Sequence, residues 1–273
     1  MWTLGLCHQL VSRIRLKLIR MRAILVIAAI AALTYIALCV ALFLAQRSFI
    51  YYPQLRSTTN TNATLALNVK GATILVSTRQ HTGSDAVIYF GGNAEDVSLS
   101  LPMLTDAFPN RSVYALNYRG YGGSTGKPTE AALIADAHAL FDHVHLDHPR
   151  ITVIGRSLGS GVAVHIASGR PVERLVLVTP YDSLLNIAAS QFPFFPVRWL
   201  LLDKFESWRY ALKMTAPTQL IAAQYDEVIP FASTQSLYTH FPKGLATLTI
   251  IPGVGHNSVS ESPDYVPLLR GTQ

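Results

Sequence analysis

The chain has 273 residues, of which half are hydrophobic and 14% are charged, and its formal net charge is +6. The basic excess lies before Asp85, the first acidic residue, since nine Lys or Arg precede it and thirteen face sixteen acidic residues from there onward. The mildly acidic remainder has no basic stripe that would follow a phosphate backbone, so we expect no nucleic-acid partner. The two cysteines are Cys7 and Cys39, which excludes a disulfide or a Cys nucleophile from the later part of the chain.

An apolar run without charged residues, 23–45, follows a basic N-terminal segment, 1–22. Its length suits a transmembrane helix, because about 20 apolar residues cross a hydrocarbon core of roughly 30 Å. Five basic residues precede it closely: Arg13, Arg15, Lys17, Arg20 and Arg22. Only Arg47 and Arg56 follow closely, so the positive-inside rule predicts a single-pass signal anchor with a cytoplasmic N-terminus. The rest of the chain then lies on the non-cytoplasmic side, which is the periplasm in a bacterium.

A cleaved signal peptide and a buried core helix are the alternatives for this apolar run. A signal peptide has a shorter apolar region, roughly 7–15 residues, and small residues before its cleavage site. Leu38 precedes Cys39 at the position where a lipid-attachment signal has a small residue. The sequence therefore predicts a retained anchor, followed by a connector over residues 46–64 and one folded domain over residues 65–273.

Strand-like and helix-like segments alternate after the connector. Short runs rich in β-branched residues predict strands at 64–69, 73–78, 86–90, 112–116, 151–154, 174–178, 218–222 and 247–251. Apolar residues at helical spacing predict helices at 129–144, 158–167 and 233–241. This alternation predicts an α/β fold with a mostly parallel central sheet and helices on both faces, in which functional groups gather beyond the C-terminal ends of the strands.

Residues 181–214 do not follow this alternation of strands and helices. The segment is rich in Phe, Trp and Leu and contains Pro193 and Pro196. It is too long for a plain loop, so we predict a small helical lid that is apolar on its inner face. A core helix followed by a turn remains the alternative.

A nucleophile motif follows the strand predicted at 151–154. The residues Gly155-Arg-Ser-Leu-Gly159 form a G-x-S-x-G sequence between a strand and a helix, which is the context that the motif requires. Gly155 and Gly159 leave room for neighbouring chain at the sharp turn. We therefore predict Ser157 as a nucleophile presented at a helix N-terminus; a structural Ser in a tight turn is the alternative.

A serine hydroxyl needs a base, and the base needs an orienting carboxylate. His256 lies in a Gly-rich loop after the last predicted strand, and this fold orders its triad as Ser, acid and His. Asp226 comes first after the preceding strand, so we predict it as the acid. Glu227 beside it is expected to be a surface carboxylate, and Asp182 is the weaker rival that is expected to form a turn or a cap.

The oxyanion of an acyl-transfer reaction needs two N–H donors. Leu158 follows the nucleophile, and a second donor normally comes from the loop after the third strand, where Gly91-Gly92-Asn93 allows a close backbone approach. We predict the backbone N–H groups of Asn93 and Leu158 as the oxyanion hole. The alternative, compatible with this one, is a simple turn in which Asn93 caps the next helix.

The chain resembles the membrane-anchored subgroup of small α/β-hydrolases that includes depalmitoylating thioesterases and many bacterial proteins. The matching pieces lie over residues 49–258: Phe49-Ile-Tyr-Tyr-Pro53, Gly92-Asn-Ala-Glu95, Asn117-Tyr-Arg-Gly-Tyr-Gly-Gly-Ser124, the Ser157 motif, Asp226 and Gly255-His256. Gly91 stands where these proteins usually have a His. The resemblance implies an α/β-hydrolase fold and an esterase, thioesterase or related acyl hydrolase that uses no metal and no organic cofactor.

Three functions fit these residues. The first is hydrolysis of an ester or thioester of a small-molecule or lipid-like acyl substrate, by way of Ser157, His256 and Asp226. The second is peptidase or amidase activity with the same triad, and the third is a non-catalytic membrane-anchored binding protein of the same fold. The sequence carries no signal for an oligomeric state.

Overall fold

A computed structural model describes residues 2–57 and 63–271, and the chain forms two compact units, Met1–Gln46 and Arg47–Gln273. The helix α1 runs over Trp2–Ile50 and extends beyond both ends of the predicted span. No proline occurs before Pro53, so nothing ends the helix at residue 45. The stretch Arg13–Ile50 is long and apolar enough to cross a membrane.

Between residues 13 and 44, the apolar side chains of α1 are largely exposed, as Ile27 and Leu33 illustrate at 67% each. A core helix of a soluble domain buries such a face. The core-helix alternative therefore has no support, while a membrane anchor and a signal sequence both fit a single apolar helix near the N-terminus.

The structure of residues 46–64, which were predicted to form a connector, differs from that prediction. Helix α1 continues to Ile50, and Ile50 and Tyr51 are buried in the domain core. The carbonyl of Gln54 accepts the N–H of Gly122. Because the side chains of Ile50 and Tyr51 are buried in the core, the residues that directly follow the apolar run are part of the domain. Residues 58–62 of the predicted connector lie outside the described residues.

An eight-stranded sheet forms the centre of the second unit. Its strands are β1 (Thr64–Val69), β2 (Ala72–Arg79), β3 (Asp85–Phe90), β4 (Ser112–Leu116), β5 (Arg150–Arg156), β6 (Arg174–Val178), β7 (Thr218–Tyr225) and β8 (Ala246–Gly255). They lie in the order β1-β2-β4-β3-β5-β6-β7-β8. Strand β2 is antiparallel to both of its neighbours, and the other pairs are parallel. The predicted mostly parallel sheet is confirmed.

Eight further α-helices accompany the sheet in the described part of the chain. They are α2 (Val97–Ala107), α3 (Glu130–His145), α4 (Leu158–Ala167), α5 (Leu184–Gln191), α6 (Val197–Leu200), α7 (Ser207–Ala211), α8 (Phe231–Thr239) and α9 (Tyr265–Arg270). The three predicted helices correspond to α3, α4 and α8. Helices α2 and α9 were not predicted, because Pro102 interrupts the pattern of the first and the second is only six residues long.

Two hydrophobic clusters cover the two faces of the sheet. Ile88 and Phe90 of β3 belong to one cluster, and Val87 and Tyr89 belong to the other. Successive side chains of a strand point to opposite faces, so β3 is buried on both sides. This double burial explains why the central strands are nearly continuous apolar runs in the sequence. It also fixes where their C-terminal ends lie, and the loops at those ends carry the predicted site residues.

The insertion between β6 and β7 contains the three short helices α5, α6 and α7. Its two ends pack on the domain, with Leu185 and Phe205 buried. In its middle, α6 has no buried residue and the side chain of Trp199 is 87% exposed, although Leu201 directly after α6 packs against the core. The expected small helical insertion is therefore present, but its most prominent aromatic side chain points outward instead of into the core.

Candidate active site

Ser157 lies at a strained turn between β5 and α4. Its backbone has φ 49° and ψ −118°, a conformation that L-residues rarely adopt. The N–H of Ser157 donates to the carbonyl of Val178 on the neighbouring strand at 2.9 Å, which ties the turn to the sheet. The turn therefore presents the Ser157 side chain at the C-terminal edge of the sheet and at the N-terminus of α4.

The glycines on either side of Ser157 are required by close packing. A Cβ atom on Gly155 would lie 2.6 Å from the Cβ atom of Ala163 in α4. A Cβ atom on Gly159 would collide with the carbonyl of Phe90 and would lie 2.6 Å from that of Gly91. Only glycine permits α4 to pack this closely on β5 and on the end of β3. The predicted role of Gly155 and Gly159 agrees with these contacts.

Ser157, His256 and Asp226 form a continuous hydrogen-bonded chain. The Nε2 atom of His256 lies 2.9 Å from Oγ of Ser157, and its Nδ1 atom lies 3.0 Å from both carboxylate oxygens of Asp226. The three groups come from three different strand ends. Ser157 is 7% exposed and His256 is 5% exposed, so solvent screens the interactions weakly. This geometry lets His256 accept the Ser157 proton while Asp226 orients the ring.

Asp226 is held by its own loop. Its Oδ1 atom accepts the N–H groups of Val228 at 3.0 Å and Ile229 at 2.7 Å. These bonds fix the orientation of the carboxylate beside His256.

Asp182, the weaker rival for the acid, is used elsewhere. Its carboxylate accepts from Ser233 Oγ at 2.6 Å and from Asn186 Nδ2 at 2.7 Å, and it thereby joins α5 to α8. The structure thus brings Asp226 and not Asp182 to His256.

Glu227 has a role that the sequence did not predict. Its Oε2 atom accepts the backbone N–H of His256 at 3.0 Å, and this bond lowers the pKa of the Glu227 carboxyl. A Cβ atom on Gly255 would lie 2.8 Å from that oxygen, so the glycine before His256 leaves room for the contact. The two adjacent acidic residues therefore hold the ring and the backbone of the same histidine.

A partly buried ion pair joins the loops around Ser157. Nη1 of Arg156 lies 3.1 Å from Oε2 of Glu95, and Nη2 of Arg156 donates to the carbonyl of His256 at 3.4 Å. Burial alone would lower the pKa of Arg156, but Tyr89 and Glu95 outweigh that effect and the pKa is raised. Arg156 is therefore a permanent cation that connects the Ser157 turn, the Glu95 loop and the His256 loop.

The Glu95 carboxylate has donors on both oxygens. Oε1 accepts from Tyr89 Oη at 2.7 Å and from Ser100 Oγ at 2.6 Å. Oε2 accepts the N–H of Gly92 at 2.8 Å in addition to Arg156. A partly buried carboxylate with this many donors is held rigidly, so the Gly92 backbone is fixed in place beside the turn.

The two predicted oxyanion donors are available. Within the described residues, the backbone N–H groups of Asn93 and Leu158 donate to no protein acceptor, and Leu158 opens α4, where N–H groups have no partner inside the helix. A Cβ atom on Gly92 would lie 3.8 Å from the Cβ atom of Ser157, so this loop and the Ser157 turn are neighbours. The arrangement suits stabilisation of a negative oxygen next to Ser157.

Residues 2–57 and 63–271 contain no group of three or more His, Cys, Asp or Glu side chains that suits a metal ion. The hydrogen-bonded chain of Ser157, His256 and Asp226 suits attack by the Ser157 hydroxyl on an electrophilic carbonyl.

The sequence predicted the residues that meet in the site but missed those that support them. Ser157, His256 and Asp226 are brought together, and Asn93 and Leu158 flank the turn. Glu95 and Arg156 were not predicted as a pair. Both lie inside the short motifs that the sequence displays, and a charged residue within such a motif is a signal that could have identified them.

A family model described as the alpha/beta hydrolase family matches residues 90–249, more than half of the chain. An uncharacterised protein of Mycobacterium tuberculosis is 33% identical over 262 residues, which cover 89% of this chain and 91% of that protein. An alpha/beta hydrolase domain-containing protein of Caenorhabditis elegans is 33% identical over 190 residues. That match covers 67% of this chain and 56% of the nematode protein.

Solved structures show the same fold at low sequence identity. An esterase of Pyrococcus furiosus superposes with a TM-score of 0.62 at 16% identity and covers 78% of this chain and 91% of its own. An alpha/beta hydrolase enzyme from a deep-sea metagenome superposes with a TM-score of 0.62 at 17% identity and covers 76% of this chain and 96% of its own.

The adjacent carboxylates Asp226 and Glu227 make a matched test of the acid. We expect Asp226→Asn to slow the reaction of Ser157 with a fluorophosphonate by roughly 10³–10⁴-fold, because the imidazole loses the charge that orients it. Glu227→Gln keeps an oxygen for the His256 N–H, so its rate should stay within about tenfold of the wild-type rate. Both rates are measured by time-resolved labelling, and equal losses in the two variants would contradict the assignment.

Proposed function

Because the chain belongs to the alpha/beta hydrolase family, we propose that it is a serine hydrolase that cleaves carboxylic esters or thioesters through Ser157, His256 and Asp226. The observation that carries the proposal is the unbroken chain from Ser157 Oγ through the His256 ring to the Asp226 carboxylate, with bonds of 2.9 and 3.0 Å. The match to the alpha/beta hydrolase family supports a hydrolase, and the solved structures share the fold.

Acylation begins when Oγ of Ser157 attacks the substrate carbonyl carbon and Nε2 of His256 takes the hydroxyl proton. Asp226 stabilises the imidazolium that forms. The carbonyl oxygen becomes an oxyanion and accepts the N–H groups of Asn93 and Leu158. When the intermediate collapses, the alcohol or thiol leaves with the proton from His256, and the acyl group remains on Ser157.

Deacylation repeats these steps with water. His256 takes a proton from the water molecule while its oxygen attacks the acyl carbonyl carbon. The second intermediate collapses as Ser157 leaves with the proton from His256, which releases the carboxylic acid and restores the enzyme. The donors at Asn93 and Leu158 serve both intermediates, and no step requires a metal or an organic cofactor.

The non-catalytic alternative explains the geometry less well. Packing alone does not require Ser, His and Asp at three strand ends with their polar atoms in line. The backbone strain at Ser157 also favours a catalytic function. A backbone with φ 49° is costly at a non-glycine residue unless function or packing maintains it.

Substitution of the nucleophile and the base tests the proposal directly. We expect Ser157→Ala and His256→Ala each to lower kcat for para-nitrophenyl esters by roughly 10⁴–10⁶-fold, with folding retained. The double variant should be no slower than either single variant, because the residues act as one unit. The measurement is steady-state hydrolysis, with circular dichroism as the folding control. Near-normal turnover in Ser157→Ala would refute the assignment of Ser157 as the nucleophile.

We further propose that α1 is a retained anchor, with the N-terminus in the cytoplasm and the hydrolase domain on the other side of the membrane. The proposal is supported by the length of the apolar stretch Arg13–Ile50 and by five basic residues before position 23, against only Arg47 and Arg56 behind the apolar run. The catalytic domain would then face the periplasm of a bacterial cell.

Reporter fusions test this topology. A reporter that is active only outside the cytoplasm should be active when fused after Gln273, and a reporter that is active only inside should be silent. Reversal of the N-terminal charges should weaken or invert this pattern of reporter activity. The variant for this test combines the substitutions Arg13→Glu, Arg15→Glu, Lys17→Glu, Arg20→Glu and Arg22→Glu. A cytoplasmic C-terminus in the unaltered chain would contradict the proposed orientation.

We propose that the preferred substrates carry medium or long acyl chains. The support is the helical insertion, in which Phe192 is 49% exposed and Trp199 is 87% exposed. Aromatic surface of this kind binds an acyl chain better than a charged ligand. A chain that is anchored in a membrane also meets lipid-derived esters at high local concentration.

A chain-length series measures this preference. We expect kcat/KM of the full-length protein in detergent micelles to rise from para-nitrophenyl acetate toward esters of about eight to sixteen carbons. Trp199→Ala should reduce the rise and leave the acetate rate unchanged. The matched control is Leu146→Ala, since Leu146 is 81% exposed at the end of α3, outside the insertion. A clear preference for acetyl esters would refute the acyl-chain proposal and leave the triad assignment standing.

A further inference from the structure

The turn Gly91–Asn93 is held in place by groups outside the Ser157-His256-Asp226 chain. We propose that the hydroxyl of Tyr121 and the backbone N–H of Tyr52 are positioning groups that aim the Asn93 N–H at the reacting oxygen. This inference rests on the proposed hydrolase mechanism and adds to it. It gives a catalytic consequence to the segment that directly follows the long helix.

Two hydrogen bonds reach the carbonyl of Asn93, and a third joins the two groups that donate them. Tyr121 Oη donates to this oxygen at 2.7 Å, and the N–H of Tyr52 donates to it at 3.1 Å. The same Tyr52 N–H lies 2.9 Å from Tyr121 Oη, so the hydroxyl accepts one bond and donates another. Burial raises the pKa of Tyr121 far above its usual range, which keeps the hydroxyl protonated and able to donate.

These bonds act on the peptide that carries the oxyanion donor. The N–H of Asn93 belongs to the peptide between Gly92 and Asn93. On one side, the Gly92 N–H is bound by Glu95 at 2.8 Å; on the other side, the Asn93 carbonyl is bound by Tyr121 and Tyr52. Since both neighbouring peptides are fixed, the peptide between them cannot rotate freely, and its N–H keeps one direction.

A second tyrosine supports the same turn. Tyr118 Oη donates to the carbonyl of Gly91 at 2.9 Å, and the Tyr118 and Tyr121 rings meet edge to face with centroids 5.7 Å apart. Each of these two side chains is only 2% exposed. The loop that follows β4 therefore supplies a rigid pair of hydroxyls to the turn.

The segment after α1 completes this support. Ile50 and Tyr51 are buried, and the carbonyl of Ile50 accepts from the side-chain amide of Asn93 at 3.3 Å. Tyr52 then contributes its N–H to the Asn93 carbonyl. The last turn of the helix and the extended residues behind it thus contact the proposed oxyanion loop directly, and a change in this segment should alter turnover.

The variant Tyr121→Phe tests the positioning role by removing one oxygen atom. In the full-length protein we expect kcat to fall by about 10–100-fold with KM nearly unchanged, because the donor matters most when the oxygen carries charge. The rate constant for phosphonylation of Ser157 by a fluorophosphonate should fall by a similar factor, since that product is also tetrahedral. Active-site titration normalises both rates to the folded fraction.

The matched control is Tyr114→Phe. Tyr114 is also buried, and its hydroxyl lies 3.1 Å from His148 Nε2, outside the site residues. This variant should lose thermal stability as Tyr121→Phe does but keep the wild-type kcat. A wild-type kcat in Tyr121→Phe, or equal kcat losses in both variants, would overturn the inference.

The backbone contribution is tested by Tyr52→Pro, which removes the N–H group. We expect its kcat to fall as in Tyr121→Phe, again with little change in KM. Leu55→Pro is the control, because the N–H of Leu55 has no acceptor among the described residues and its side chain is 90% exposed. A wild-type kcat in Tyr52→Pro would remove Tyr52 from the inference.

The labelling experiment separates this inference from the proposed function. If the fluorophosphonate labels the wild type but not Ser157→Ala, and Tyr121→Phe equals the wild type, then only the positioning role fails. If Ser157→Ala is labelled as well as the wild type, the proposed hydrolase mechanism fails and the inference fails with it.

Discussion

The turn at Ser157 is the constraint on which the rest of the site depends. Its backbone conformation is unfavourable, and the chain reaches it only because α4 packs directly against the ends of β5 and β3, where Gly155 and Gly159 have no side chains. The strain is offset by the double-sided burial of the central strands. The sheet therefore fixes the position of Ser157, and the loops that carry His256 and Asp226 extend to it.

Charged groups extend this rigidity from one loop to the next. Arg156, which directly precedes Ser157, pairs with Glu95 and also reaches the backbone of His256. Glu95 in turn binds Gly92 next to the proposed oxyanion donor. Breaking a buried pair by removing one partner is costly, typically about 3–5 kcal/mol, because the other charge is left without compensation. The pair therefore couples stability and catalytic geometry in one small network.

The sequence was sufficient for the sheet and for the residues that meet at Ser157. Buried parallel strands are apolar runs, and the G-x-S-x-G motif lies between one such run and a helical pattern. Both the strands and the position of Ser157 could therefore be predicted from short stretches of sequence. The side chains that support the site could not be predicted from short stretches of sequence. Glu95 meets Arg156 across 61 positions, and Tyr121 meets Tyr52 across 69, and only the folded topology brings such pairs together. Helix α1 also continues beyond the predicted span to Ile50, and the burial of Ile50 and Tyr51 is a tertiary effect that the sequence does not display.

The attachment of the first domain residues has a consequence for biosynthesis. Arg47 pairs with Asp203 at 3.0 Å although 156 positions separate them in the chain. This segment leaves the ribosome early, but it can dock only after Asp203 and the loop around Tyr121 have also been made. Contacts of such high sequence separation form late in folding, because their loop-closure entropy must first be overcome. The nascent protein thus passes through a stage in which Ile50 and Tyr51 have been made but cannot yet be buried in the domain core.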